Sequence, residues 1–94
     1  GCTFFHAKYR PPTQAFYTQE FAGSVVIGIN EYGIHVIDPL AMKIISVEFS
    51  KILEPYSDEE SFSFSQPTDD KKIPVKTFAF KTNQGELIND LLHD

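Results

Sequence analysis

The most restrictive feature of this chain is the position at which its hydrophobic period changes. Up to residue 81, apolar residues come in seven short runs with aromatic or β-branched side chains at alternate positions; after Thr82-Asn83 the period lengthens to that of a helix. Alternation with period two belongs to strands that bury one face. Nine Phe, four Tyr and no Trp put large apolar area into those runs, which favours strands over helices. The pattern predicts a mainly β domain, a bent seven-stranded antiparallel sheet or partly open barrel capped by one C-terminal α-helix. A length of 94 residues leaves room for one core, so residues 1–94 are expected to form a single domain.

Turn chemistry divides the runs. Strand one covers residues 2–9 and stops at Pro11-Pro12, neither of which can donate a ladder hydrogen bond. Residues 10–22 mix Pro, Thr, Gln and three aromatics without a period, and are expected to form a long connection with a mobile tip. Strands two (24–29) and three (34–37) flank Asn30-Glu31-Tyr32-Gly33, where Asn and Gly tolerate a positive φ. Asp38-Pro39 turns the chain into strand four (42–49). Strand five (50–56) contains Pro55, which confines it to a sheet edge or a strand end. Strand six carries Phe62 and Phe64 and strand seven (75–81) carries Phe78 and Phe80, four rings that together read as core. The final stripe of Leu87, Ile88, Leu91 and Leu92 leaves Glu86, Asn89, Asp90 and His93 facing away, with Asn83 or Thr82 as N-cap. So short a helix is marginal alone and has to dock on the sheet.

Charge and composition exclude several function classes. A formal charge of −5 repels nucleic acid and anionic bilayers, so neither is a main partner. Lys8 and Arg10 are followed by a connection without basic residues, and Lys71-Lys72 is offset by Asp69-Asp70. Phosphoinositide binding, which needs converging cations, is therefore expected to be weak. Cys2 has no cysteine partner within the chain, and no apolar run approaches the roughly 18 residues of a membrane span, so a cytoplasmic setting is expected. Beginning without Met and stopping inside a helical pattern, the sequence reads as a piece of a larger multidomain protein.

His6, His35 and His93 lack ligand spacing, and Cys2 has no base and orienting group beside it in sequence. No metal, cofactor or enzymatic activity is expected. His35 reads as an outward or hydrogen-bonded sheet histidine, Cys2 as a small apolar filler, and Asp58, Glu59 and Glu60 as a solvated turn.

Four segments carry a family likeness: Gly1-Cys2-Thr3-Phe4-Phe5 with Lys8, Ile34-His35-Val36-Ile37-Asp38-Pro39, Phe49-Ser50-Lys51-Ile52, and the helix start Thr82-Asn83-Gln84-Gly85-Glu86-Leu87-Ile88. In these the chain resembles the third, pleckstrin-homology-like and phosphotyrosine-binding-like lobe of FERM domains. The lobes of unconventional myosin tails look nearest and talin next. The resemblance covers nearly the whole chain.

The resemblance implies a non-enzymatic protein-binding module of a cytoskeletal linker or myosin-tail protein, cytoplasmic, at the cytoskeleton or the inner face of the plasma membrane. Its partners would be peptide segments or cytoplasmic tails of cargo, adhesion or adaptor proteins, together with neighbouring FERM lobes; direct membrane binding would be weak. It also implies where a peptide goes: along the open edge of strand five, at Lys51, Ile52, Leu53, Glu54 and Tyr56, with Leu91 and Leu92 as groove neighbours. Those families commonly carry Trp just after the strand-five Lys-Ile, whereas here Leu53-Glu54-Pro55-Tyr56 follows, so an Asn-Pro-x-Tyr tail loses an aromatic contact. Two alternatives stand beside this reading: a structural or autoinhibitory lobe within a FERM module, and a phosphoinositide-binding domain.

Overall fold

The computed structural model describes residues 1–13 and 18–93. Among the described residues, seven strands precede one helix: β1 (Thr3–Arg10), β2 (Ser24–Ile29), β3 (Gly33–Asp38), β4 (Lys43–Glu48), β5 (Leu53–Ser57), β6 (Ser61–Pro67), β7 (Val75–Lys81) and α1 (Gly85–Leu92). They form one antiparallel sheet in the order β4-β3-β2-β1-β7-β6-β5, which is not closed and leaves β4 and β5 as edges. β1 joins the two halves. Residues 3–8 pair with β2, whereas only Lys8, Tyr9 and Arg10 pair with β7.

Alternation decides what is buried. Phe5, Ala7 and Tyr9 of β1, Val25, Ile27 and Ile29 of β2, and Ile34 and Val36 of β3 face the core, as do Phe62, Phe64, Phe78 and Phe80. The four rings stack along β6 and β7, with Phe64 and Phe78 centroids 5.2 Å apart at 23°, the offset geometry that adds to simple area burial. Ile88 closes the core from the helix.

One turn works differently from the sequence expectation. At Asn30 it is the side chain that is used: its Oδ1 accepts the Tyr32 and Gly33 N–H groups at 3.0 and 3.3 Å. Gly33 is required by close approach, since a Cβ there would sit 2.0 Å from the Val47 carbonyl oxygen. Asn30 Oδ1 also lies 3.0 Å from His35 Nε2. Because that oxygen can only accept, Nε2 carries the ring proton, and Nδ1 accepts from the Ser46 hydroxyl 2.7 Å away. His35 is thus a hydrogen-bonded sheet histidine, as expected.

The connection from β1 to β2 is pinned at its second end. Phe21 is buried edge-on to Tyr9, with centroids 5.3 Å apart. Glu20 is held by Lys43 of β4 and Lys76 of β7. Burial pushes its carboxyl up, but hydrogen bonds and charge from the two lysines outweigh burial and hold it below its ordinary value. The expected mobile tip falls on residues 14–17, outside the described residues.

Several boundaries differ from the sequence reading. β1 runs to Arg10, β3 gains Gly33 and Asp38, and β4 stops at Glu48. Phe49–Lys51 is a turn of 3-10 helix, so strand five starts at Leu53 and Lys51 is not on a strand. The cause is local: Phe49 N–H extends the β3 ladder to the Tyr32 carbonyl, and Ile52 N–H then folds back onto the Phe49 carbonyl. The helix starts at Gly85 with Gln84 as N-cap and no side-chain cap; Thr82 is buried, donating to the His6 carbonyl and accepting from Gln84 N–H. Leu87 is 56% exposed rather than part of the buried stripe, while Asn89 turns inward to Ser57. Gly85 sets that rotation, because a Cβ there would lie 2.3 Å from the Ser61 carbonyl oxygen, so this face of the helix touches backbone.

Candidate functional site

β5 is an irregular edge, and the irregularity is in its residues. Leu53 pairs with Ser65 but Tyr56 with Ser63, so β5 carries one residue more than β6 between those pairs. Glu54 absorbs the extra residue with φ 48°, the left-handed region that non-glycine residues seldom adopt. Pro55 follows and brings no N–H of its own.

Backbone bookkeeping shows what the outer side of β5 can offer. Asp58 N–H donates to the Ser61 carbonyl, and this fixes the alternation: Tyr56 turns its backbone groups to β6 and Ser57 turns its own outward. Pro55 has no N–H, and the Ile52 N–H is already spent on Phe49. The edge therefore supplies few ladder donors.

The helix runs back along this edge. Its first residue abuts Ser57 and Ser61, and its last turn reaches the 3-10 turn, where Phe49, Ile52, Pro55, Leu92 and His93 line a cleft of about 420 Å³. His93 is fixed by its Nδ1, 2.7 Å from the Asn89 carbonyl oxygen, and by its N–H to the Asp90 carbonyl. Phe49, Pro55 and the aliphatic side chains form the apolar part of its wall, and polar groups, His93 among them, line nearly as much of it. Exposed Lys51 and Glu54 belong to the segments that supply Ile52 and Pro55, and exposed Asp90 to the end of the helix that supplies Leu92. The Asp58 carboxyl is held below its ordinary value, chiefly by the Glu60 N–H that it accepts at 2.8 Å.

Of the seven residues expected to meet a peptide, the cleft brings together Ile52 and Leu92. Leu53 and Leu91 are half-buried, and Leu91 packs against the core. Lys51, Glu54 and Tyr56 are exposed and do not line the cleft. Phe49, Pro55 and His93 were not among those seven. Pro55 was legible only as an obstacle to the ladder, and its role as an apolar wall depends on the bulge that turns it.

A second cleft, of about 480 Å³, lies where β1 parts from β7, between His6, Lys8 and Lys81 on one side and Glu59, Glu60 and Asn83 on the other. Its mixed signs give no convergent cation cluster for a phosphate. Among the described residues no helix is long and apolar enough to cross a membrane.

Comparison with known proteins adds two findings. Residues 23–91 match the family model described as KRIT1/FRMD8, FERM domain C-lobe. The chain is 50% identical over 95 residues to FERM domain-containing protein B of Dictyostelium discoideum; the match takes in all of this chain and 20% of that protein. The chain thus spans about a fifth of the length of the curated relative it matches.

Proposed function

The chain belongs to the FERM-domain C-lobe family typified by KRIT1 and FRMD8, non-enzymatic protein-interaction lobes, and on that premise we propose that it binds an extended peptide of a partner's cytoplasmic tail in the cleft between β5 and the end of α1. The observation carrying this reading is a cleft beside a sheet edge in whose wall Phe49, Ile52, Pro55 and Leu92 come together next to His93. Because the bulge and Pro55 leave few backbone donors, affinity comes mainly from burying one or two apolar side chains, and it is modest. Leu53, Glu54, Tyr56 and Lys51 flank the path of the peptide, and Leu91 supports the cleft from below. We read the parent as a cytoskeletal linker of the myosin-tail or talin kind; this rests on the sequence motifs alone.

Titrating a labelled chain with an extended synthetic peptide that carries two apolar side chains at alternate positions, and following amide shifts, tests the site. Shifts centred on residues 49–57 and 88–93, lost in Ile52→Asp, are expected. A response confined to the connection at residues 18–23 sinks the assignment.

A second reading is favoured by Leu40, 94% exposed, Met42, 90%, and Phe4, 59%, all away from the cleft. Neighbouring exposed apolar groups such as Leu40 and Met42, both in the β3–β4 turn, are the kind that mark contact surfaces, and here they would meet another lobe of the same module. Hydrogen exchange on the longer protein decides it: the amides of residues 40–42 should be protected there relative to this chain alone, and equal exchange rules the contact out.

A further inference from the structure

The sheet has two edges, and they are treated unequally. β5 carries the devices that blunt an edge, a bulge and a proline. β4 has neither: its six residues pair with β3 in unbroken register from Lys43 to Glu48.

The direction of its backbone groups follows from one bond. Phe49 N–H donates to the Tyr32 carbonyl, and 49 with 32 continues the register of Glu48 with Gly33. Alternation along an antiparallel ladder then turns Val47, Ile45 and Lys43 toward β3. Ile44, Ser46 and Glu48 turn their N–H and C=O groups the other way, off the sheet. The β2 ladder agrees, since Asn30 N–H donates to Gly33 and so assigns Gly33, His35 and Ile37 to β2 and Ile34, Val36 and Asp38 to β4.

The same three residues display their side chains on the outer face. Ile44 is 61% exposed, and Ser46 and Glu48 are exposed. Ser46 is held in one orientation by donating to His35, which leaves its oxygen free to accept. The edge opens onto a cleft of about 330 Å³ lined by Tyr32, Ser46, Val47, Glu48, Lys51 and Gln66, room for a chain to lie beside β4. Lys43 is occupied with Glu20. At the other end Glu48 and Glu31 are both exposed, with no ion pair to either among the described residues, and the chain as a whole carries −5.

We propose that the β4 edge takes an extended segment of a partner protein in antiparallel pairing, with an apolar side chain beside Ile44 and a basic one beside Glu48. Read from its N-terminus, such a segment presents basic, small polar and apolar side chains at alternate positions. The backbone row recognises any extended chain; the apolar and acidic ends choose the sequence and its direction. A second copy of this chain is a poorer occupant, because it brings a like net charge and a second Glu48. The site shares Lys51 with the path proposed along β5 but is read at different amides, those of residues 44–48.

The probe is a nine-residue synthetic peptide with Lys, Thr and Val at alternate positions on one face and Thr elsewhere, titrated into the labelled chain. Shifts and slowed exchange are expected at the Ile44, Ser46 and Glu48 amides. Replacing the peptide Lys by Glu should weaken binding about tenfold, and Glu48→Lys should restore it. Ser46→Pro removes an outward N–H that the fold does not use, and should abolish binding while the chain stays folded. Should that variant unfold, Ile44→Lys, at an exposed side chain, is expected to weaken binding instead. Shifts at residues 49–57 rather than 44–48, the same edge shifts on concentrating the protein without peptide, no shifts at all, or full binding by folded Ser46→Pro each overturn the proposal.

Discussion

Lys43 on β4 and Lys76 on β7 are separated in the sheet by the three strands β3, β2 and β1, yet both ammonium groups reach the carboxylate of Glu20. A flat sheet would hold them more than four strand spacings of about 4.8 Å apart across that span, so the shared contact measures how far the sheet curls. Each lysine also lies over a ring, Lys43 over Phe21 at 5.4 Å and Lys76 over Phe78 at 5.8 Å. The clasp ties the β1–β2 connection across the curled end.

Glu20→Gln should destabilise the fold by about 1–3 kcal/mol at pH 7, the range for losing a charged hydrogen-bond acceptor. The lysines hold the Glu20 carboxyl below its ordinary value. Its stabilisation is therefore complete above the unfolded value, roughly 4.3, and is lost as pH falls through the folded one. Urea melts of both proteins in steps from pH 7 into acid should show a gap that narrows as pH falls; a gap of equal size throughout would mean that the charge is not what matters.

Gly85→Ala should destabilise even though Ala is the better helix former by about 1 kcal/mol. The added Cβ meets the Ser61 carbonyl oxygen at 2.3 Å, and backbone cannot swing aside as a side chain can. A raised melting temperature would show that the helix can lift from β6 at little cost.

Within α1 the largest loss should fall on Ile88, which is fully buried; Ile88→Ala is expected to cost about 2–5 kcal/mol. Leu91 is half-buried, so Leu91→Ala should cost less, about 1–2 kcal/mol, and Leu87→Ala almost nothing. Thermal melts of the three variants give the order directly, and Leu91 ranking above Ile88 would contradict this docking of the helix.

Vesicles containing phosphoinositide should not bind the chain at physiological salt. Lys8 and Lys81 share their cleft with Glu59 and Glu60, and the net charge opposes approach to an anionic surface. Saturable cosedimentation that disappears in Lys8→Glu would reverse this expectation.

The alternating runs determined most of the architecture by themselves. Period two, broken by Pro11-Pro12, Asn30-Glu31-Tyr32-Gly33 and Asp38-Pro39, was enough for seven strands, a Phe62, Phe64, Phe78 and Phe80 core and a docked helix, because burying one face of a strand depends on local pattern alone. What the sequence could not decide were features set by contacts between distant segments. Phe49 continues an apolar run, yet the Tyr32 carbonyl and the Ile52 N–H turn it into a 3-10 step. Leu87 sits on the expected helical stripe, yet the close approach of Gly85 to Ser61 rotates it into solvent. Glu54 and Pro55 read as strand residues, and only pairing with Ser63 and Ser65 makes them a bulge, which blunts one edge and leaves Ile44, Ser46 and Glu48 on the other as the open row. Period fixes which face a residue takes; register and edge are properties of the partner strand, and those are decided only when the sheet has curled.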